Sequence, residues 1–161
     1  KQMHVKIIKT TFTILFCTFL TACMNLGQLN YKQVHMLKKE GFSLTNEGWS
    51  LALPEKLLFD FDSTEIQETH KASLNRLSSQ LQKYDLDKLK IIGHTDDIGN
   101  ESYNQTLSEK RAQNVANVFI QAGYKQQNIQ TFGRGPSQPL VQNNSNENRA
   151  INRRVNVVII P

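Results

Sequence analysis

One helical repeat constrains this chain more than any other feature. Residues 104 to 122 carry apolar side chains at helical spacing and stop at Gly123, a residue suited to the left-handed turn that ends many helices. At about 100° per residue, with Leu107 at zero, Val118 falls at roughly 20°, Arg111 at roughly 40°, Ala122 at roughly 60° and Val115 at roughly 80°. Arg111 therefore stands in the middle of the stripe that such a helix buries. A guanidinium cannot be deprotonated, and burying it without an anion costs several kcal/mol, so it must meet a carboxylate or lie where the stripe opens onto a ligand. Asp96 and Asp97 end the strand-like segment just before this helix, which lets an acid and Arg111 share one pocket mouth. A purely structural Asp-Arg pair is the competing outcome.

The neighbouring patterns supply the surface against which this helix packs. "YKQVHMLKKEGF" places Tyr31, Val34 and Leu37, with Met36, at helical spacing before Gly41, and predicts a short amphipathic helix. "GWSLALPEKLLFDFDS" alternates as a strand at both ends, is broken by Pro54 and closes in a turn at Asp62 and Ser63. "EIQETHKASLNRLSSQLQKY" repeats Ile66, Leu74, Leu77, Leu81 and Tyr84 as a first long helix, and "LDKLKIIGHT" alternates as a strand. Beyond the second long helix come a strand in "NIQTFGRG", a polar, Asn-rich loop with room for one helical turn in "PSQPLVQNNSNENRA" and a last strand in "INRRVNVVIIP". This order predicts an α+β domain with two long helices packed on one face of a mixed sheet.

The chain begins differently. Residues 1–22 combine Lys1, Lys6 and Lys9 with the apolar run "TTFTILFCTFL", which at about a dozen residues is short of the roughly 20 that span a bilayer and reads as a secretory leader. Leu20-Thr21-Ala22-Cys23 resembles the lipobox of bacterial lipoproteins, which implies lipid on Cys23 and a tethered linker over residues 23–48 before a domain at 49–161. Met24 after that cysteine resembles an outer-membrane address. Cys17 would leave with the leader, so the mature chain keeps one cysteine and forms no internal disulfide. The formal charge of +5 includes the three leader lysines, leaving +2 on scattered residues, which argues against nucleic acid as a partner.

Catalytic readings of the acidic loop are weak. A metal site of His94, Asp96 and Asp97 suffers because adjacent Asp side chains on extended backbone point apart, and His4, His35 and His70 lie in other elements. A hydrolase would need a nucleophile paired with a base, and Ser108 and His94 have no spacing that provides one. No enzyme, metal or cofactor is expected.

"GHTDDIGNESYNQTLSEKRAQNV" resembles the signature of the OmpA-like C-terminal domain, with its Thr-Asp pair, Gly, Tyr-Asn, Leu-Ser and Arg-Ala at the same intervals. "FDFDSTEI" and "NRRVNVVI" extend the resemblance over roughly residues 50 to 160. It implies a β/α/β/α/β-β sandwich that binds peptidoglycan non-covalently through the diaminopimelate of the stem peptide. By position, Asp96 would hold the ligand's ammonium and Arg111 its carboxylate, with Asn104 as hydrogen-bonder, Leu107 as wall, and Phe61, Asp62 and Ser63 as the turn closing the other side. Of Arg153 and Arg154, one would be structural and the other is left unassigned.

A narrower resemblance lies in the anchor-proximal helix and "EGFSLTNEGWSLALPEKLLF", which is similar to the YfiB subgroup of lipoproteins. That subgroup implies an outer-membrane lipoprotein facing the periplasm, which captures a YfiR-like regulator of a diguanylate cyclase and so acts in c-di-GMP signalling. The alternative is a structural anchor like the peptidoglycan-associated lipoprotein of the Tol system. Phe42 and Trp49 would either staple the first helix to the domain or, if exposed, form the partner surface.

Overall fold

The computed structural model describes residues 29–60 and 63–161; the leader, Cys23, Phe61 and Asp62 lie outside the described residues. A short helix, α1 (Tyr31–Lys39), starts at Asn30, whose side chain accepts from the Gln33 amide while the Gln33 side chain accepts from the Asn30 amide. This reciprocal cap satisfies two otherwise orphaned donors. The hairpin β1 (Ser43–Thr45) and β2 (Gly48–Pro54) follows, then a 3-10 turn over Glu55–Leu57. The long helix α2 (Glu68–Lys83) leads to β3 (Leu89–His94), and α3 (Glu101–Gln121) leads through a second 3-10 turn to β4 (Ile129–Gly133). The chain closes with α4 (Asn146–Asn152) and β5 (Arg154–Ile159).

The five strands form one mixed sheet in the order β1-β2-β5-β3-β4, with only β3 and β4 parallel, joined by the crossover through α3. Strand periodicity sorts the side chains. Leu89 and Ile91 of β3 and Val155, Val157 and Ile159 of β5 enter the core beneath the helices, where they meet Leu74, Leu77 and Leu81 of α2 and Ala112, Val115, Ala116 and Phe119 of α3. Both long helices thus lie on one face, as their stripes predict. Residues 31–42 belong to the same body: Met36, Leu37 and Phe42 are buried in that core, and Trp49 packs against it. Tyr31, expected on the apolar face of α1, instead faces solvent at 83% exposure.

Two elements differ from the sequence patterns. The polar loop expected to hold one helical turn contains the longer, two-turn helix α4, which begins where the Ser145 side chain accepts from the Asn148 amide. Ile66, expected inside the first long helix, pairs with Phe59 in an isolated bridge before α2 begins.

A glycine contact brings α3 onto the sheet. Gly93 of β3 and Gly133 of β4 are register partners, and both face α3. A Cβ on Gly93 would sit 2.1 Å from the Ser108 carbonyl oxygen, and one on Gly133 would sit 2.3 Å from Glu109 Cγ. The helix therefore rides on bare backbone, and Arg111 follows one turn later. Gly93→Ala is expected to destabilise the fold by ~2 kcal/mol or more, because the obstructing atoms are backbone rather than a side chain that can move. Urea unfolding of the variant at an unchanged midpoint would contradict this packing.

Candidate functional site

The site forms where β3 ends, α3 begins and the chain leaves β2. Thr95 donates its amide to the Gly135 carbonyl at 2.9 Å, which carries the β3–β4 pairing one residue past the strand. Asp96 then turns the chain, its Oδ1 accepting from the Ile98 amide at 3.0 Å. Asn104 Nδ2 donates to the Ile98 carbonyl at 2.9 Å and holds this loop against α3. Asn100 caps α3 by accepting from the Tyr103 amide. Asp97, one residue on, is exposed.

Arg111 is 3% exposed, as its place on the stripe requires. Its Nη2 lies 2.6 Å from Glu55 Oε1, its Nε donates to the Ser63 carbonyl at 3.1 Å, and its guanidinium carbon lies 5.1 Å from the centre of the Phe59 ring. The other carboxylate oxygen of Glu55 lies 2.7 Å from Arg153 Nε, and Arg153 Nη1 donates to Asp96 Oδ2 at 2.6 Å. Glu55 and Arg153 therefore join Asp96 and Arg111, the two residues that the sequence singled out. A cleft of about 470 Å³ opens between them, lined by Glu55, Phe59, Asp96, Asn104, Leu107, Arg111 and Arg153 among others.

Of the sequence-predicted residues, Asp96, Asn104, Leu107 and Arg111 line this cleft, and Ser63 reaches it through its carbonyl. Phe61 and Asp62 lie outside the described residues. Arg153, unassigned from the sequence, stands in the cleft, whereas Arg154 is buried and donates to the Asn152 and Gln138 carbonyls at 3.0 and 3.1 Å. Sequence reasoning missed Glu55 and Phe59. The one signal for Glu55 was an acid directly after the strand-breaking Pro54, which by itself does not reveal its partners.

His94 and Ser108 do not form a catalytic pair. The Ser108 hydroxyl donates to the Gln105 carbonyl and accepts from the Gly135 amide, while both ring nitrogens of His94 are buried without a hydrogen-bond partner among the described residues. Among the described residues no cluster of His, Cys, Asp and Glu could hold a metal ion, and no helix is long and apolar enough to cross a membrane.

Fold and site together define a two-layer α+β binding domain with a cleft built on alternating charges. The family model that matches residues 58–153 is that of the OmpA family, and the chain belongs to it. Over 131 residues the chain is 37% identical to the outer-membrane lipoprotein YfiB of Pseudomonas aeruginosa, covering 81% of this chain and 78% of that one. It is 33% identical over 142 residues to its namesake in Escherichia coli, covering 87% and 89%. The crystal structure of the peptidoglycan-associated lipoprotein from Burkholderia pseudomallei superposes with a TM-score of 0.57 at 28% identity, covering 65% of this chain and 83% of that one.

Behind the sheet, burial holds the His94 pKa down to about 3, helped by the positive charges of Arg154 and Arg134. An unfolded histidine takes a proton near pH 6.5, so the unfolded chain binds the extra proton between those values and stability falls as pH drops from about 6.5 toward 3. His94→Gln is expected to flatten that part of the stability profile. Equal losses in both proteins between pH 7 and pH 4, followed by urea unfolding, would contradict this assignment.

Proposed function

We propose that this protein binds peptidoglycan without turning it over, through the diaminopimelate of the stem peptide, and tethers the outer membrane to the wall through lipid on Cys23. The observation that carries the reading is a guanidinium, on Arg111, buried at a cleft that also presents the carboxylate of Asp96. Diaminopimelate offers an ammonium and a carboxylate on one short side chain, which suits an acid and an arginine acting by charge-assisted hydrogen bonds. Asp96 takes the ammonium and Arg111 the carboxylate. Asn104 and Leu107 shape the wall, and Ser63 meets Arg111 through its carbonyl on the opposite side. The family membership and the likeness to a peptidoglycan-associated lipoprotein support the ligand class.

Sedimentation of the full chain with purified sacculi tests this. The wild type is expected in the pellet, while Asp96→Ala and Arg111→Ala lose roughly ten- to hundredfold in affinity, as befits one charge-assisted contact each. Variants that keep their circular dichroism and still pellet would reduce the pair to a structural role. Muropeptides released into the supernatant would make the protein a hydrolase.

A second activity, capture of a YfiR-like periplasmic regulator of a diguanylate cyclase, is favoured by the exposed apolar residues Tyr31 and Leu44 and by the likeness to YfiB lipoproteins. In the state described, Phe42 is buried and Trp49 partly so, which keeps them from a partner while α1 is docked. A partner that uses these two residues would select a state in which they are uncovered, in proportion to its preference for it. Tyr31→Ser with Leu44→Ser is expected to weaken recovery of such a regulator from periplasm at least about fivefold, against unchanged sacculus binding. Equal recovery by the double variant would leave a simple wall anchor.

A further inference from the structure

Four side chains of the cleft form one linear ionic chain, from Arg111 to Glu55 to Arg153 to Asp96, with links of 2.6, 2.7 and 2.6 Å. Cation and anion alternate, so the closed chain is neutral. Its two ends are the residues assigned above to the ligand, on which assignment this inference rests. Each end already holds an internal substitute. The Glu55 carboxylate stands against Arg111 as the ligand's carboxylate would, and the Arg153 guanidinium stands against Asp96 as the ligand's ammonium would.

We infer that Glu55 and Arg153 are specificity determinants, an internal pair that mimics the ligand's two charges and makes the cleft selective for a group carrying both. A zwitterion that inserts between Arg111 and Asp96 takes both ends at once, and Glu55 and Arg153 keep each other, so every charge stays paired. A ligand with a carboxylate alone displaces Glu55 from Arg111 and leaves one surplus negative charge. A ligand with an ammonium alone displaces Arg153 from Asp96 and leaves one surplus positive charge. Surplus charge is costly here, because Arg111 is 3% exposed and the Glu55 side chain 16%. The half-ligand is thus rejected by what it leaves behind, which is discrimination by an unfavourable state rather than by an added contact.

The backbone supports this role for Glu55. Its amide donates to the Arg153 carbonyl at 3.0 Å, and its carbonyl accepts from the Leu58 and Phe59 amides at 2.9 Å, so the carboxylate is presented from a fixed turn. The Arg153 side chain is 36% exposed and lies at the solvent side of the chain of charges, where its link to Asp96 can open without disturbing the core.

Calorimetric titration of the full chain with three tripeptides tests the inference. The first is L-Ala-γ-D-Glu-meso-diaminopimelate; the second is the same peptide acetylated on the distal amine of diaminopimelate, leaving the distal carboxylate; the third carries L-Lys, which has the distal ammonium and lacks that carboxylate. The wild type is expected to prefer the first. Relative to the diaminopimelate peptide measured on the same variant, Glu55→Gln should favour the acetylated peptide by about tenfold more than the wild type does, and Arg153→Gln should favour the lysine peptide by about tenfold more. Because Glu55→Gln strips a buried arginine of its counter-ion, the more exposed Arg153→Gln carries the test independently should the former unfold. Wild-type binding with the same ligand ranking in both variants, or equal weakening of all three ligands, would overturn this inference alone. Failure of the wild type to bind the first peptide would overturn the assignment of Asp96 and Arg111 together with it.

Discussion

The structure depends on one buried guanidinium. Arg111 cannot lose its charge, so every neighbour that reaches it has to supply negative potential: a carboxylate from Glu55, a carbonyl from Ser63 and the face of the Phe59 ring. These three come from the segment between β2 and α2, whereas Arg111 comes from α3. The charge therefore ties the second long helix to the chain leaving the hairpin, and removal of one member of such a pair costs about 3–5 kcal/mol because the other is left buried and alone. The proposed binding site and this structural clamp share the same atoms.

Placing that charge correctly requires close approach elsewhere. Gly93 and Gly133 let α3 descend onto the backbone of β3 and β4, and the Ser108 hydroxyl bridges from the helix to the Gly135 amide just past β4. Asp96 sits at the end of the same strand that holds Gly93, so the depth of the helix and the position of the acid are set by one element. The two consecutive arginines show how strictly position decides role. Arg154, the first residue of β5, is buried opposite His94 and held by carbonyls, while Arg153, one residue before the strand, turns into the cleft between two carboxylates.

Much of this was legible in the sequence because it is periodic. The stripes of α2 and α3, the alternation of β3 and β5, and the anomaly of Arg111 all appear as repeats of 3.6 or 2 residues. Asp96 and Asn104 became legible through the family signature around them. What the sequence left hidden is pairing across distance. Glu55 lies 56 positions from Arg111 and 98 from Arg153 in the chain, and an ion pair leaves no period. The length of α4 was underread because its capping residue lies in an Asn-rich stretch with few apolar side chains, and Tyr31 looked buried because a nine-residue helix offers too few turns to tell its edge from its stripe.

Ligand binding through this cleft requires that Arg111, though buried, stay open to a ligand's carboxylate. It is tested most directly by nuclear magnetic resonance of the arginine side chains in protein labelled with 15N-arginine, titrated with the diaminopimelate tripeptide. A saturable shift of the Arg111 Nε–H resonance is expected, with no comparable shift for Arg154. A peptide that binds while the Arg111 resonance stays in place would contradict it.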